Sequence, residues 1–543
     1  MRITVRISRI FAIGFCVALL QQPALSQTNA LPLLGSEAPD LLQSLLAQPA
    51  VSVGSVAVAP DALRDYYMQG GRPLWTSSSG VSPLAFDLAS QLDDVGRDGL
   101  VPSDYTQFLP AGWQNASTPD DLVLVEIALS SALLKAGRDL YAGRTSPSIS
   151  DPDIVIARKA IDATGLLTDA SVNGPKAALD ALRPKHPQYA QLRQLLGGYR
   201  ALAARGGWSP VDEGPTLKPG MQDQRVVQLR ENLEARGYSG LMTADPSLFD
   251  EGLVQVIEHF QKRHGLDVDG AVGPATRGAL NISAQQRVEQ LTVNLERWRW
   301  LPRSLGQRHV LVNQAGFELF LVENGQTTDN RRVIVGKPFH KSPMFSDEIS
   351  YAEFNPTWTM PPSIAGRSYL PKLRANPGYL DENGYKLYTS WRQDAPAMSS
   401  WSIDWNAVSE KRFPYKIVQS PGRNNALGQV KFMFPNDFAV YLHDTPSRQL
   451  FSRSSRAFSS GCIRVEKPLE FAARLFGPDQ GLTQGSIEQI VGSRQTKRIS
   501  LKRKVPVHLT YFTTWVNDQG VPQFFNDVYK RDAPVAAILE GRA

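Results

Sequence analysis

Cysteine is nearly absent. The 543 residues hold two, Cys16 and Cys462, so no disulfide scaffold supports the fold. Long apolar runs are absent as well. The longest uncharged one, residues 10–20, is too short to span a bilayer, which excludes a polytopic membrane protein. Charge of one sign is not in large excess, with 58 Lys and Arg against 52 Asp and Glu. Histidine is scarce at seven residues, and no spacing of His, Asp or Glu suits a metal. His259 and His264 are five apart, where a helical pair needs four. No metal or organic cofactor is expected. What is present is ordinary globular composition, 42% hydrophobic and 20% charged, and a length suited to about three or four domains.

Residues 1–26 read as an export signal peptide. Arg2, Arg6 and Arg9 give a basic start, residues 10–20 an apolar stretch, and Ala24-Leu25-Ser26 the small residues of a cleavage site. Cleavage removes Cys16 and those three arginines, so 58 basic residues become 55 against the same 52 acids. That balance withdraws the electrostatic support for nucleic acid as a partner. An uncleaved signal would leave an inner-membrane anchor instead. The exported chain keeps one thiol, Cys462. An odd cysteine in an oxidising space is either an inert buried residue or a reactive group, and the count alone leaves both open.

Residues 27–59, rich in Ala, Leu and Gln, read as a linker. Residues 60–215 are patterned as helices with no catalytic spacing, which predicts a helical scaffold domain. Its longest helix is expected over 121–141, with Leu122, Ile127, Leu129 and Leu133 among its apolar positions. Residues 216–283 form a compact unit. Val226, Leu229 and Leu233 fall at helical spacing, a second helix ends at His264-Gly265, and Asp269-Gly270-Ala271-Val272-Gly273-Pro274-Ala275-Thr276 opens a third. Pro274 stands near the first turn, where a missing N–H costs nothing. This set resembles the peptidoglycan-binding domain 1 family, with a general three-helix spacer as the alternative. The resemblance implies wall binding or the positioning of neighbouring domains. A linker helix follows within 284–307. From residue 308 the period changes to β, and short strands alternate with turns to residue 535. An insert at 363–415, rich in Pro, Gly, Trp and Tyr, interrupts them.

The chemistry centres on 441–465, where Tyr441-Leu442-His443-Asp444-Thr445-Pro446 precedes Ser459-Ser460-Gly461-Cys462-Ile463-Arg464-Val465. A thiol needs a nearby base or cation to become a thiolate near neutral pH. His443 stands at the end of an expected strand, nineteen residues before Cys462. Ser459-Ser460-Gly461 keeps bulk from the sulfur and can aim backbone N–H groups at an oxyanion. Arg453, Arg456 and Arg464 add positive field. The alternative is a core cysteine beside a surface loop.

These residues carry a resemblance. His-x-Thr-Pro followed by Ser-x-Gly-Cys-Ile-Arg-Val resembles the L,D-transpeptidase (YkuD) catalytic domain. Asn355-Pro356-Thr357-Trp358 and the segment 421–428 look like further family segments. The scaffold, the binding module and the insert together resemble the large multidomain branch of YcbB type. Many members have Ser-His-Gly-Cys, whereas Ser460 stands in the place of that histidine, which leaves His443 as the local base.

The resemblance implies a multidomain α+β fold: a helical scaffold, a three-helix peptidoglycan-binding-like module and a mainly β catalytic domain with a capping insert. It implies a cysteine acyltransferase of the Gram-negative periplasm. Cys462 would attack the tetrapeptide stem of peptidoglycan at the L-centre of meso-diaminopimelate and expel D-Ala. A second stem would then accept the acyl group in a 3→3 cross-link, with His443 as general base and acid. Gly461 and Cys462 N–H are the implied oxyanion donors. Tyr441 is either a further donor or a strand residue packed on the sheet. Arg464 is either an active-site brace or a contact for a substrate carboxylate. Asn355 and Trp358 either line the cleft wall or pack a core. The insert either caps the donor stem or packs on itself. Implied partners are donor and acceptor stems, with penicillin-binding proteins or carboxypeptidases as co-workers, and carbapenems are implied inhibitors. The alternatives are a cysteine L,D-carboxypeptidase or endopeptidase of the stems, and a non-catalytic wall-binding protein.

Overall fold

The computed structural model describes residues 38–541 except 49, 50, 54, 55 and 59. The signal expected over 1–26 lies outside the described residues, as does the start of the linker expected over 27–59. Among the described residues no helix is long and apolar enough to cross a membrane.

The hydrophobic side chains collect into separate cores for a helical N-terminal region, a helical module, a mostly β domain and an insert. In the N-terminal region the helix Pro119–Ala142 runs through the core. Thr118 caps it by accepting from Asp121 N–H, and Pro at the first turn needs no partner. Glu126 on this helix is fully buried. It is satisfied by Tyr67 Oη, the Leu74 and Trp75 N–H groups and Thr76 Oγ1, so it pins one loop instead of doing chemistry. The module holds helices Gln224–Ala235, Glu251–Arg263 and Pro274–Leu280 around Leu229, Leu253, Ile257 and Phe260.

The helix expected as a linker is no exposed connector. Ala284–Trp300 starts with a Ser283/Gln286 capping box and is buried along most of its last two turns, including Arg297, Trp298, Arg299 and Trp300. Arg297 pairs with Asp532 at 2.6 Å, and Arg299 donates to the Asp98 carbonyl at 3.2 Å. N-terminal region and β domain therefore meet on it.

The β domain is built from β1 (Arg308–Asn313), β2 (Glu318–Glu323), β3 (Gln326–Gly336), β4 (Phe345–Phe354), β5 (Val430–Met433), β6 (Leu442–His443), β7 (Ala457–Ser459), β8 (Ile463–Val465) and β9 (Lys497–Thr510). Their order is β7-β3-β8-β6-β5-β4-β9-β1-β2, and a further β2–β3 pairing closes eight of them into a ring. The late strand β9 completes the sheet from inside, lying between β4 and β1. The first strand after the expected insert belongs elsewhere. Lys416–Gln419 joins Trp358–Thr359, Tyr385–Tyr388 and Ala397–Met398 in a separate four-stranded insert sheet. The turn glycines and aromatics of this stretch gave no alternating pattern to separate the two sheets in advance.

Candidate active site

Strand pairing brings the two chemically marked segments together. β6 and β8 are parallel neighbours, with Leu442 opposite Ile463 and His443 opposite Arg464. Alternate residues on a strand face opposite ways. Leu442, Ile463 and Val465 are fully buried in the core. Their neighbours Tyr441, His443, Cys462 and Arg464 therefore share the other face. The eighteen residues between His443 and Cys462 form a short helical turn, Arg448–Ser452, and then β7, which returns the chain to its start.

His443 is 4% exposed. Its Nδ1 lies 2.5 Å from the Asp444 carbonyl oxygen. A carbonyl can only accept, so Nδ1 carries the proton and Nε2 keeps its lone pair. Burial, reinforced by the Arg464 charge, lowers the pKa to about 3. The imidazole is thus neutral at physiological pH and able to take a proton. Burial also pushes the Cys462 thiol up, while the Tyr441 backbone N–H and hydroxyl and the Arg464 charge pull it part-way back. The thiol rests against the Ala439 carbonyl at 3.7 Å. No hydrogen bond joins Cys462 to His443 among the described residues. The resting pair is a neutral thiol and a neutral base, and the Tyr441 ring meets the imidazole edge-on at 5.5 Å.

Several expected roles change with these contacts. The Gly461 N–H donates to Ser459 Oγ at 3.1 Å, so it is not available to an oxyanion as expected. The Cys462 N–H, the other implied donor, makes no hydrogen bond among the described residues. Arg464 braces nothing: its Nε is buried without a partner, and it forms no ion pair among the described residues. Ser460 is exposed beside the thiol. Asn355 is no cleft wall. It has φ 49°, and its Nδ2 donates to the Ile490 and Gln495 carbonyls at 3.0 and 3.1 Å, so it ties down a distant loop. Trp358 packs with Tyr369 and Tyr385 in the insert core, where its bulk fills space between strands. Tyr441 packs against both the insert core and the main core, as a strand residue would, and its side chain also touches the thiol.

Other contributors carry no signal in the sequence. Asp444 orients the histidine through its backbone, and its buried carboxylate accepts from Gln429 N–H and Thr445 N–H at 2.9 and 2.7 Å. Ala439 holds φ 53° in a turn organised by Asn436, whose Nδ2 donates to the Phe434 and Val440 carbonyls. An alanine is rare in that region, and only the fold shows that this one adopts it. Ser342 Oγ donates to the Gly461 carbonyl at 2.7 Å. A lone Ser before Pro343 gives no hint of it.

Known proteins resemble three stretches of the chain. Residues 307–483 match the family described as "L,D-transpeptidase catalytic domain". The chain carries an L,D-transpeptidase catalytic domain. Residues 222–280 match the "Putative peptidoglycan binding domain" and residues 61–196 the "Scaffold domain". A Haemophilus influenzae protein named "Putative L,D-transpeptidase" is 32% identical over 247 residues, 46% of this chain and 49% of that one. The chain thus spans about half the length of this curated relative. Among solved structures, an L,D-transpeptidase from Xylanimonas cellulosilytica is 16% identical with TM-score 0.18, covering 55% of this chain and 98% of the other. One from Stackebrandtia nassauensis is 13% identical with TM-score 0.21, covering 55% and 95%.

Proposed function

We propose that the protein is an exported, periplasmic peptidoglycan L,D-transpeptidase that works through a Cys462 thioester. The observation that supports this most is the shared face of Cys462, Tyr441, His443 and Arg464, with the imidazole held neutral and its Nε2 lone pair free. Cys462 attacks the carbonyl at the L-centre of meso-diaminopimelate in a tetrapeptide stem, and its proton passes to His443 Nε2. The developing oxyanion is met by the free Cys462 N–H and by the Tyr441 hydroxyl. His443 then protonates the departing D-Ala amine, leaving the thioester and a neutral base. The side-chain amine of a second stem attacks next, gives its proton to His443, and releases the thiol in a 3→3 cross-link.

Arg464, unpaired on the same face, supplies positive field at the thiol and a partner for a stem carboxylate. The insert caps the donor site. Its helical stretch touches the rim where Arg367 Nη1 lies 3.5 Å from His340 Nε2. The peptidoglycan-binding module positions the chain on the wall.

The test is mass spectrometry of the parent and of Cys462→Ala after incubation with a tetrapeptide-bearing disaccharide. Loss of D-Ala and a 3→3 dimer in the parent, both absent in the variant, are expected. D-Ala loss without a dimer would point to hydrolysis, and no change with the stem still bound would leave a wall-binding protein.

A further inference from the structure

The Gly461–Cys462 peptide is held from behind by a residue outside the catalytic segment. Ser342 is fully buried. Its hydroxyl donates to the Gly461 carbonyl at 2.7 Å and accepts from Gly336 N–H at 3.0 Å. A trans peptide is planar, so its C=O and the following N–H point in opposite directions. A Gly461 carbonyl drawn inward to Ser342 turns the Cys462 N–H outward, away from the buried side. We infer that Ser342 is a positioning residue that aims the Cys462 N–H at the substrate oxyanion, and that the helical N-terminal region helps to hold it there. The inference rests on the acyl-transfer reading of Cys462.

The support behind Ser342 is continuous. Its N–H donates to Tyr529 Oη at 3.2 Å, and that hydroxyl donates to the Gly336 carbonyl at 2.7 Å. The Ser342 carbonyl accepts from Arg531 Nη2 at 3.2 Å. Arg531 Nε and Lys341 Nζ both donate to Asp151 Oδ2, at 2.7 and 2.9 Å. Asp151 is 3% exposed, and its segment runs along the β domain, where Met344 N–H donates to the Asp153 carbonyl and Val155 N–H to the Met344 carbonyl, both at 2.8 Å. The loop 336–342 is too tightly curled for slack: a Cβ on Gly336 would stand 2.0 Å from the His340 carbonyl oxygen. Residues 380 positions apart in the chain, Asp151 and Arg531, therefore fix the atom that fixes the oxyanion donor.

Ser342→Ala tests this. An oxyanion donor matters to acyl transfer and not to simple alkylation of the sulfur. Two rates are compared on the full chain with intact-mass detection: acylation by a carbapenem and alkylation by iodoacetamide. Acylation is expected to fall by about ten- to a hundredfold, less than the roughly hundred- to thousandfold that follows outright loss of such a donor, because the N–H stays but is no longer aimed. Alkylation and its pH profile should stay within about twofold, since thiol, imidazole and their surroundings remain. Equal losses in both rates, or no loss in acylation, would overturn the inference. If S342A does not fold, Lys341→Met loosens the same loop from its half-exposed side. The same split, about threefold or more, is then expected, and its absence counts against the inference equally. A parent that is acylated but forms no cross-link would sink the proposed function and leave this comparison standing. A parent that is never acylated would overturn both.

Discussion

A half-buried thiol beside a buried neutral imidazole sets the chemistry at the scale of single residues. An ion pair at rest would need the histidine pKa to lie above that of the thiol. Burial moves them the other way, His443 to about 3 and Cys462 above its ordinary value. An ordinary histidine loses its basicity as pH falls through about 6.5. His443 stays neutral well below that, so acylation should be flat from about pH 5 to 8. Iodoacetamide reports the thiolate alone, and its rate should rise about tenfold per pH unit from 6 to 9 with no plateau. A plateau below pH 8 would mean a resting thiolate–imidazolium pair. Tyr441→Phe removes the hydroxyl that favours the thiolate. A hydrogen bond to a charged group is worth about 1.5–3 kcal/mol, so alkylation at pH 8 should drop about tenfold, and an unchanged rate would remove Tyr441 from the site.

This scale also shows what the sequence could convey. Cys462 and His443 stand out because a lone thiol and a His-x-Thr-Pro segment are chemically unusual and the β period puts them on adjacent strands. Arg464 was visible, but its lack of partners was not. The roles of Gly461, Ser342 and Ala439 depend on which way a peptide plane faces, and composition has no bearing on that. Asn355 and Trp358 were drawn toward the cleft because polar and aromatic residues serve both core and cleft equally well.

At the scale of elements, the insert is a small domain with its own sheet and core. Its first and last strands, Trp358–Thr359 and Lys416–Gln419, pair antiparallel, with Thr359 opposite Val418, and Met360 N–H donates to the Ile417 carbonyl at 2.9 Å. Joining Met360 to Ile417 through Asn-Gly would close them as a two-residue hairpin and remove the rest. The boundaries expected from composition, 363 and 415, fall just inside this pairing. They were legible because the aromatic and glycine content changes there. The sheet was not legible, because strands two to four residues long carry no period. If the insert excludes water from the thioester, excision should raise hydrolysis relative to cross-linking, read as the ratio of free tetrapeptide-derived acid to dimer. An unchanged ratio would leave the insert as a self-packed ornament of the fold.

At the scale of the whole molecule, the helix Ala284–Trp300 makes the chain behave as one unit. Asp98, fully buried, gathers the contacts. Its carboxylate accepts from Arg183 Nε at 2.9 Å and from Tyr189 Oη at 2.8 Å, and it pairs with the Arg193 guanidinium at 2.8 Å. Its carbonyl receives Arg299 from the central helix. Gly99 follows with φ 75° and lies so close that an added Cβ would stand 3.1 Å from Thr292 on that helix. Composition predicted separate domains joined by a linker. The burial of Arg297 and Arg299 was hidden because charged residues in a helix normally mark a solvated face. Asp98→Ala leaves Arg183 and Arg193 facing the gap without their shared carboxylate. Breaking a buried pair by removing one partner costs about 3–5 kcal/mol. The urea midpoint of D98A should fall accordingly. The scaffold tryptophans Trp75 and Trp113 lie in one core and the central Trp298 in the other; with the central helix joining the two, fluorescence and far-UV circular dichroism should still lose signal together. Iodoacetamide reactivity of Cys462 in the folded fraction should match the parent, because Asp98 touches none of the active-site face. An early separate transition of the helical region would instead mean that the Asp98 contacts join two independently stable bodies, and that the hold of Asp151 on the catalytic loop can be released without unfolding the sheet.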